Sequence, residues 1–234
     1  MNRAATLQQL TQLCNLNREG VAPPAIEASG HPELDARLPH GGWQSGTIVE
    51  LMPAEIGIGE FRLLMPAVSR ITQGERYVAL VSPPYIPFAP ALKNHGVRLD
   101  HLLVIRAEKN TDTLWTLEQT LRCKSFGAVV GWPTSIRDRD VRRLQLAAEA
   151  GRSTGFIYRP PVAALEASPA AVRMRLQTNE QGLLIDVLKC RGTRGGFSIA
   201  LNHQSLPSEP HAQQPENVSG ALSGLLAHSL AANS

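Results

Sequence analysis

The chain has 234 residues, 43% hydrophobic and 18% charged, with a formal net charge of +3, which suits one globular core of ordinary composition with tails. No run of about 18 apolar residues offers a membrane span, and "MNRAATLQQLTQLCNLNREG" lacks the apolar h-region of a secretory signal, so a cytoplasmic protein without membrane contact is expected. Cys14, Cys123 and Cys190 are odd in number and have no CxxC spacing, so reduced thiols are expected, with neither a disulfide framework nor a zinc site.

In chain order, residues 4–16, "AATLQQLTQLCNL", place Leu7, Leu10, Leu13 and Cys14 on one helical stripe. That helix and a Pro/Gly-rich linker make up residues 1–30. Residues 31–201 read as the core. "TIVEL" is a strand, "GEFRLLMPAVSRIT" a helix and "RYVALVSPP" a strand. "FAPALKNHG" is a helix, "LDHLLVIRA" a strand, and "DTLWTLEQTLRCKS" a helix with Leu114, Leu117 and Leu121 on one side. "FGAVVGWP", "DRDVRRLQLAAEAGRS" and "TGFIYRPP" continue as strand, helix, strand. Apolar strands without alternation, separated by helices, are the pattern of a parallel sheet covered on both faces, so the fold class is α/β. "AVRMRLQT", "LLIDVLKCRG" and "GFSIAL" then predict a C-terminal antiparallel hairpin with a possible third strand, turning at Asn179–Gly182. Residues 202–234 are poor in large apolar side chains until Leu222, Leu225, Leu226 and Leu230. Composition predicts disorder there, ending in either a frayed tail or a partner-binding helix.

Val49 to Leu64, "VELMPAEIGIGEFRLL", has the strand–turn–helix outline of a phosphate-binding loop. Aligned with GxxxxGK[ST], Ala54 takes the first glycine's place, Gly59 the second, and Glu60 and Phe61 stand for the lysine and the hydroxyl. A carboxylate then faces the phosphates and a phenyl ring replaces the metal ligand. Gly57 and Gly59 still permit a sharp turn, so the loop is a degenerate P-loop with a structural role. The "GIG" of a dinucleotide fingerprint fails at its third position, Arg62. The seven histidines have no metal-binding spacing and no G-x-S-x-G elbow occurs, so no catalytic residue, metal or cofactor is expected. Residues 137–194 carry eleven Lys+Arg against six Asp+Glu. Arg139, Arg142, Arg143 and Arg152 are candidate contacts for DNA or an acidic partner, with an ion-paired face around Asp138 and Asp140 as the competing reading.

"LDARLPHGGWQSGTIVEL", "GIGEFRLLMPAVSRIT", "VALVSPPYIPFAPAL", "LWTLEQTLRCKSFGAVVGWP" and "RRLQLAAEAGRSTGFIYRP" together resemble the ImuA family, RecA-like proteins of the bacterial DNA-damage response. They also resemble the related cell-division inhibitor SulA, which shares the "GW" strand and the "AAE-G-x-x-x-GF-I-x-RP" segment. The resemblance implies a RecA-like core in which Pro84 stands near the catalytic glutamate and Gly131 and Trp132 at the end of the Walker B strand. Four chemical parts are then missing at once, which implies a pseudo-ATPase. For ImuA it implies an accessory role in SOS-induced, error-prone translesion DNA synthesis with an ImuB-like Y-family polymerase relative, and possible contact with RecA or self-association through Leu7, Leu10 and Leu13. For SulA it implies binding of the tubulin-like division protein FtsZ instead.

Overall fold

A computed structural model of the chain describes residues 12, 14, 26–180, 182–193 and 195–202. The candidate docking residues Leu7, Leu10, Leu13, Leu222, Leu225 and Leu226 lie outside the described residues, as does the tail from residue 203 onward.

A two-stranded ribbon, β1 (Ile26–Glu27) with β2 (Trp43–Gln44), flanks a short helix α1 (Pro32–Asp35). Residues 26–30, assigned by sequence to the linker, therefore belong to the core. They are fastened to it by the Arg70 guanidinium, which donates to the Glu27 carboxylate at 2.8 Å.

The main sheet then begins with β3 (Ile48–Pro53), β4 (Tyr77–Val81), β5 (Leu102–Ile105), β6 (Phe126–Gly131) and β7 (Thr154–Tyr158). It is completed by β8 (Val172–Asn179), β9 (Gly182–Cys190) and β10 (Phe197–Asn202). Its order is β10-β9-β8-β3-β7-β6-β4-β5, parallel from β8 to β5 and antiparallel from β8 to β10. Every residue of β3 and β6 is buried, because layers cover both faces of the sheet. On one face Val49, Leu51, Val78, Leu80 and Phe156 meet Leu63, Leu64, Val68 and Ile71. On the other, Ile48, Ala79, Val129 and Ile157 meet Leu117, Leu121, Val141 and Leu144.

The first face is covered by α2 (Met65–Gln73), with α3 (Ala89–Asn94) beside it. The second is covered by α4 (Asn110–Arg122) and α5 (Asp138–Gly151). The expected helix from Gly59 is divided: Glu60–Leu63 is a 3-10 turn and α-helix starts only at Met65. Pro66 in the first turn explains the division, since proline is favoured at a helix start but clashes with a preceding α-helical turn. Where α5 ends, Gly151 touches α4 so closely that a Cβ would stand 1.9 Å from the Leu121 carbonyl oxygen.

The reduced-thiol expectation is overturned for two of the three cysteines. Cys14 and Cys123 form a disulfide, 109 residues apart in sequence with Cα atoms 5.6 Å apart. That separation is why no local spacing revealed the pair. Among the described residues no helix is long and apolar enough to cross a membrane.

Candidate functional site

In a parallel sheet the loops leaving the strands' carboxyl ends gather on one edge, where open α/β folds bind ligands. Here that edge is formed by the loops after β3, β4, β6 and β7. The loop after β3 holds Ala54, exposed, then Gly57 and Gly59 at φ 92° and 83°. These are left-handed values that glycine tolerates at low strain. The chain is thereby reversed within a few residues, and the Glu60 side chain turns back into its own loop. Both carboxylate oxygens accept from the Gly57 N–H, at 3.2 and 3.1 Å, and Glu60 is only 8% exposed.

This geometry differs from that of an anion-binding loop. An anion-binding loop needs free N–H groups pointing at the ligand, whereas the Gly57 N–H is satisfied internally by a negative group. Behind Glu60 the space is aromatic. Tyr158 donates its hydroxyl hydrogen to the Glu60 carbonyl oxygen at 3.2 Å. Trp132 stacks on Tyr158 with ring centroids 4.9 Å apart and planes 3° apart, and Phe61 leans on Trp132 at 6.2 Å. Burial, helped by the nearby Glu60 charge, pushes the Tyr158 phenol well above its ordinary pKa, so it stays a neutral donor.

The four positions singled out by their substituted chemistry, Glu60, Phe61, Pro84 and Trp132, line one cleft of about 440 Å³ together with Met65, Leu80 and Leu92. A second opening of about 430 Å³ shares Glu60, Pro84 and Trp132 and continues past Ile56 towards Arg159 and Pro161. The rim is apolar and open to solvent. Tyr85, Ile86 and Phe88 follow β4, with Ile86 79% exposed; Ile56 follows β3; and Val162 and Leu165 follow β7, with Leu165 89% exposed. Isolated exposed apolar residues are ordinary, but six large ones on loops at the same sheet edge mark a surface suited to a protein partner. Sequence reasoning missed this face. Its signal was "PPYIPF", an apolar run whose prolines disfavour both helix interior and central strand.

The loop bearing Val162 and Leu165 is held from below by buried charges. Glu50 on β3, fully buried, accepts from Arg159 at 2.8 Å, from Arg173 at 2.7 Å and from the Ser168 hydroxyl at 2.9 Å. Arg173 also donates to the carbonyl oxygens of Ala163 and Glu166 at 2.6 and 2.7 Å, and Arg159 donates to the Glu166 carboxylate at 2.7 Å. Two guanidiniums and two carboxylates thus balance one another beneath the turn at Pro161–Leu165. Part of the basic surplus in residues 137–194 is spent here inside the molecule, and Arg175 pairs with Asp186 at 2.8 Å.

Of the four candidate arginines, Arg139, Arg142 and Arg143 share the first half of α5, where Arg139 and Arg143 line one opening, and Arg152 stands apart. Arg139 is 74% exposed on its side chain and Arg142 is exposed, both near the start of α5. Arg143 is engaged by Glu118 of α4 at 2.8 Å, and that same carboxylate takes Arg122 at 3.1 Å. Its partner lies on a neighbouring helix, whereas Arg139 pairs with Asp140 at 4.0 Å. Arg152 sits beyond the far end of the helix as its left-handed C-cap, about 20 Å away at 1.5 Å rise per residue. Among the described residues no group of three or more His, Cys, Asp or Glu side chains is arranged to hold a metal ion.

Residues 46–155, which run from the residues before β3 into β7, match the family model of the cell division inhibitor SulA. A protein named "Cell division inhibitor SulA" from Photorhabdus laumondii is 30% identical over 115 residues, covering 49% of this chain and 65% of its own length. Proteins of the same name from Yersinia pestis and Serratia marcescens are 27% identical over 116 residues and 26% identical over 119 residues, covering 50% and 51% of this chain and 69% and 71% of their own lengths. The chain thus spans just under two thirds of the Photorhabdus protein. The similar region includes the degenerate loop, the "PPYIPF" segment and Trp132. It excludes β8, β9 and β10.

Proposed function

We propose that this chain is a non-catalytic, SulA-like protein that inhibits cell division by binding another protein through the apolar face at the carboxyl ends of its sheet. The observation that carries the reading is the cleft around Glu60, Phe61 and Trp132: its loop amide is occupied by the protein's own carboxylate, while its rim offers Tyr85, Ile86 and Phe88 to solvent. Similarity to division inhibitors over residues 46–155 supports the same direction. On this reading the target is the tubulin-like protein FtsZ in the cytoplasm, and the fold is a RecA-like core that has become a pseudo-ATPase. Glu60, Phe61, Pro84 and Trp132 stand where lysine, hydroxyl and two acids would serve catalysis. The apolar rim replaces chemistry with contact area, as in interfaces whose central aromatic anchors carry most of the binding energy.

The test is controlled expression in a rod-shaped bacterium, with purified FtsZ polymerisation followed by light scattering. Filamentation and suppressed polymerisation are expected. Ile86→Asp should abolish both, with a loss of binding of about 30-fold, the scale of one hot-spot residue. Normal division on expression of folded protein, with FtsZ polymerising unhindered, would remove the proposal.

A second reading, an ImuA-type accessory of translesion synthesis that binds an ImuB-like polymerase relative, is favoured by a different observation. Strands β8, β9 and β10 lie outside the SulA-similar region yet complete the sheet. Retention of the ImuB-like partner on immobilised chain, and its loss when residues 172–202 are altered, would select this reading over the first.

A further inference from the structure

The disulfide is the feature of this molecule that neither proposed role uses. Cys123 caps the carboxyl end of α4 and is buried, whereas Cys14 is half-buried and packs against the cluster formed by Ile48, Leu117, Leu121, Val141 and Leu144. The bond joins Cys14 to the face covered by α4 and α5. Cys190 cannot compete for either partner. It lies on β9, buried in the cluster on the opposite face of the sheet, so the sheet itself decides which two of three thiols pair.

We infer that Cys14 and Cys123 form a reversible thiol–disulfide site that ties Cys14 to the carboxyl end of α4 under oxidising conditions and releases it when reduced. In a reducing compartment the resting state is the dithiol. The co-reactant is a small disulfide of the glutathione class. The more accessible Cys14 thiolate attacks one sulfur of that disulfide; its S–S bond breaks, one small thiol leaves, and a mixed disulfide forms on Cys14. The Cys123 thiolate then attacks the Cys14 sulfur, expelling the second small thiol. The protein gives up two electrons and two protons, and the small disulfide is reduced to two thiols. A dithiol reductant reverses both steps. Accessibility favours exchange at this bond over one sealed in the core.

Redox state then sets how firmly Cys14 is held at the carboxyl end of α4, independently of the apolar cleft at the sheet's carboxyl edge.

The experiment uses the full chain, equilibrated in oxidised glutathione or in dithiothreitol and then alkylated under denaturing conditions. Mass spectrometry should count one alkylated cysteine, Cys190, in the oxidised sample and three in the reduced one. Amide hydrogen exchange around Cys123, at the carboxyl end of α4, should be about tenfold slower in the oxidised protein, the signature of a locally suppressed opening. Cys14→Ser, with an unchanged melting temperature under reducing conditions, should exchange at the reduced rate in either buffer. Cys190→Ser should retain the difference. Three alkylatable thiols after oxidation, disulfide-linked dimers in place of the internal bond, or exchange rates within twofold of each other in the two states would each overturn the inference. These readings require no partner, so they fail or succeed separately from the proposed inhibition of division.

Discussion

Replacing Arg173 by methionine tests whether the buried charge cluster supports the face that carries Val162 and Leu165. Arg173 is 6% exposed and Glu50 is fully buried. The cluster of Glu50, Arg159, Arg173 and Glu166 is formally neutral. Arg173→Met leaves it one negative charge in excess, strips the 2.7 Å hydrogen bond from Glu50, and removes donors from the Ala163 and Glu166 carbonyl oxygens. Methionine keeps much of the apolar stem, so electrostatics and hydrogen bonding dominate the loss. Breaking one partner from a buried ion pair costs about 3–5 kcal/mol. For a domain of this size that corresponds to a fall in Tm on the order of 10 °C. Urea unfolding followed by tryptophan fluorescence would show a lower midpoint with an unchanged slope. In the double variant Glu50→Met/Arg173→Met, Arg159 and Glu166 remain as a neutral pair. It should therefore be more stable than the sum of its single variants by roughly 1–3 kcal/mol. A cost below about 1 kcal/mol for Arg173→Met, or strict additivity in the double variant, would refute the argument that the buried charges hold one another in place.

The loop after β3 should ignore nucleotide: Mg-ATP added far above ordinary cellular levels should leave Tm unchanged in scanning fluorimetry, because a ligand stabilises only in proportion to its binding of the folded state. His31 should make the protein acid-sensitive. It is buried with Nε2 3.2 Å from the Leu63 carbonyl oxygen, and desolvation lowers its pKa from 6.5 despite opposing contributions from that hydrogen bond, Asp35 and Glu33. As pH falls below 6.5 the unfolded chain takes up a proton that the folded chain resists, so stability declines towards the lowered folded pKa. His31→Gln should be less stable at pH 8 in chemical denaturation, yet decline less between about pH 7 and pH 5. Gly151→Ala should cost about 1–3 kcal/mol or more, read as a lowered midpoint in urea, because the new methyl meets the α4 backbone rather than a movable side chain. Gly57→Ala meets open space and bears only the strain of φ 92°, about 1 kcal/mol.

What was legible in the letters was whatever physics writes locally. Strands β3, β4, β6 and β7 are nearly unbroken apolar runs because both sides of the sheet are covered, and the helices between them show one apolar stripe each. The turn at Gly57 and Gly59 could be named from its glycines, yet not the direction taken by Glu60. Placed in a helix's first turn, a glutamate is expected to face solvent and favour the dipole; Pro66 instead delays the α-helix, and the carboxylate folds back onto Gly57. In the letters Arg159 and Arg173 are only part of the basic surplus of residues 137–194, since charged residues are seldom buried unless paired. Their partner Glu50 is more than one hundred residues earlier in the chain, joined to them only by the placement of β3 between β7 and β8. The Cys14–Cys123 bond was hidden for the same reason. The apolar rim was illegible in another way, since Tyr85, Ile86 and Phe88 have core-like side chains and only topology leaves them exposed. The residues that the proposed binding face needs are therefore those whose burial contradicts their type: charges inside holding the loop, and aromatic and branched side chains outside. On the proposed function, a sequence that departs from the usual burial rules on both counts at one sheet edge keeps that edge open for a partner.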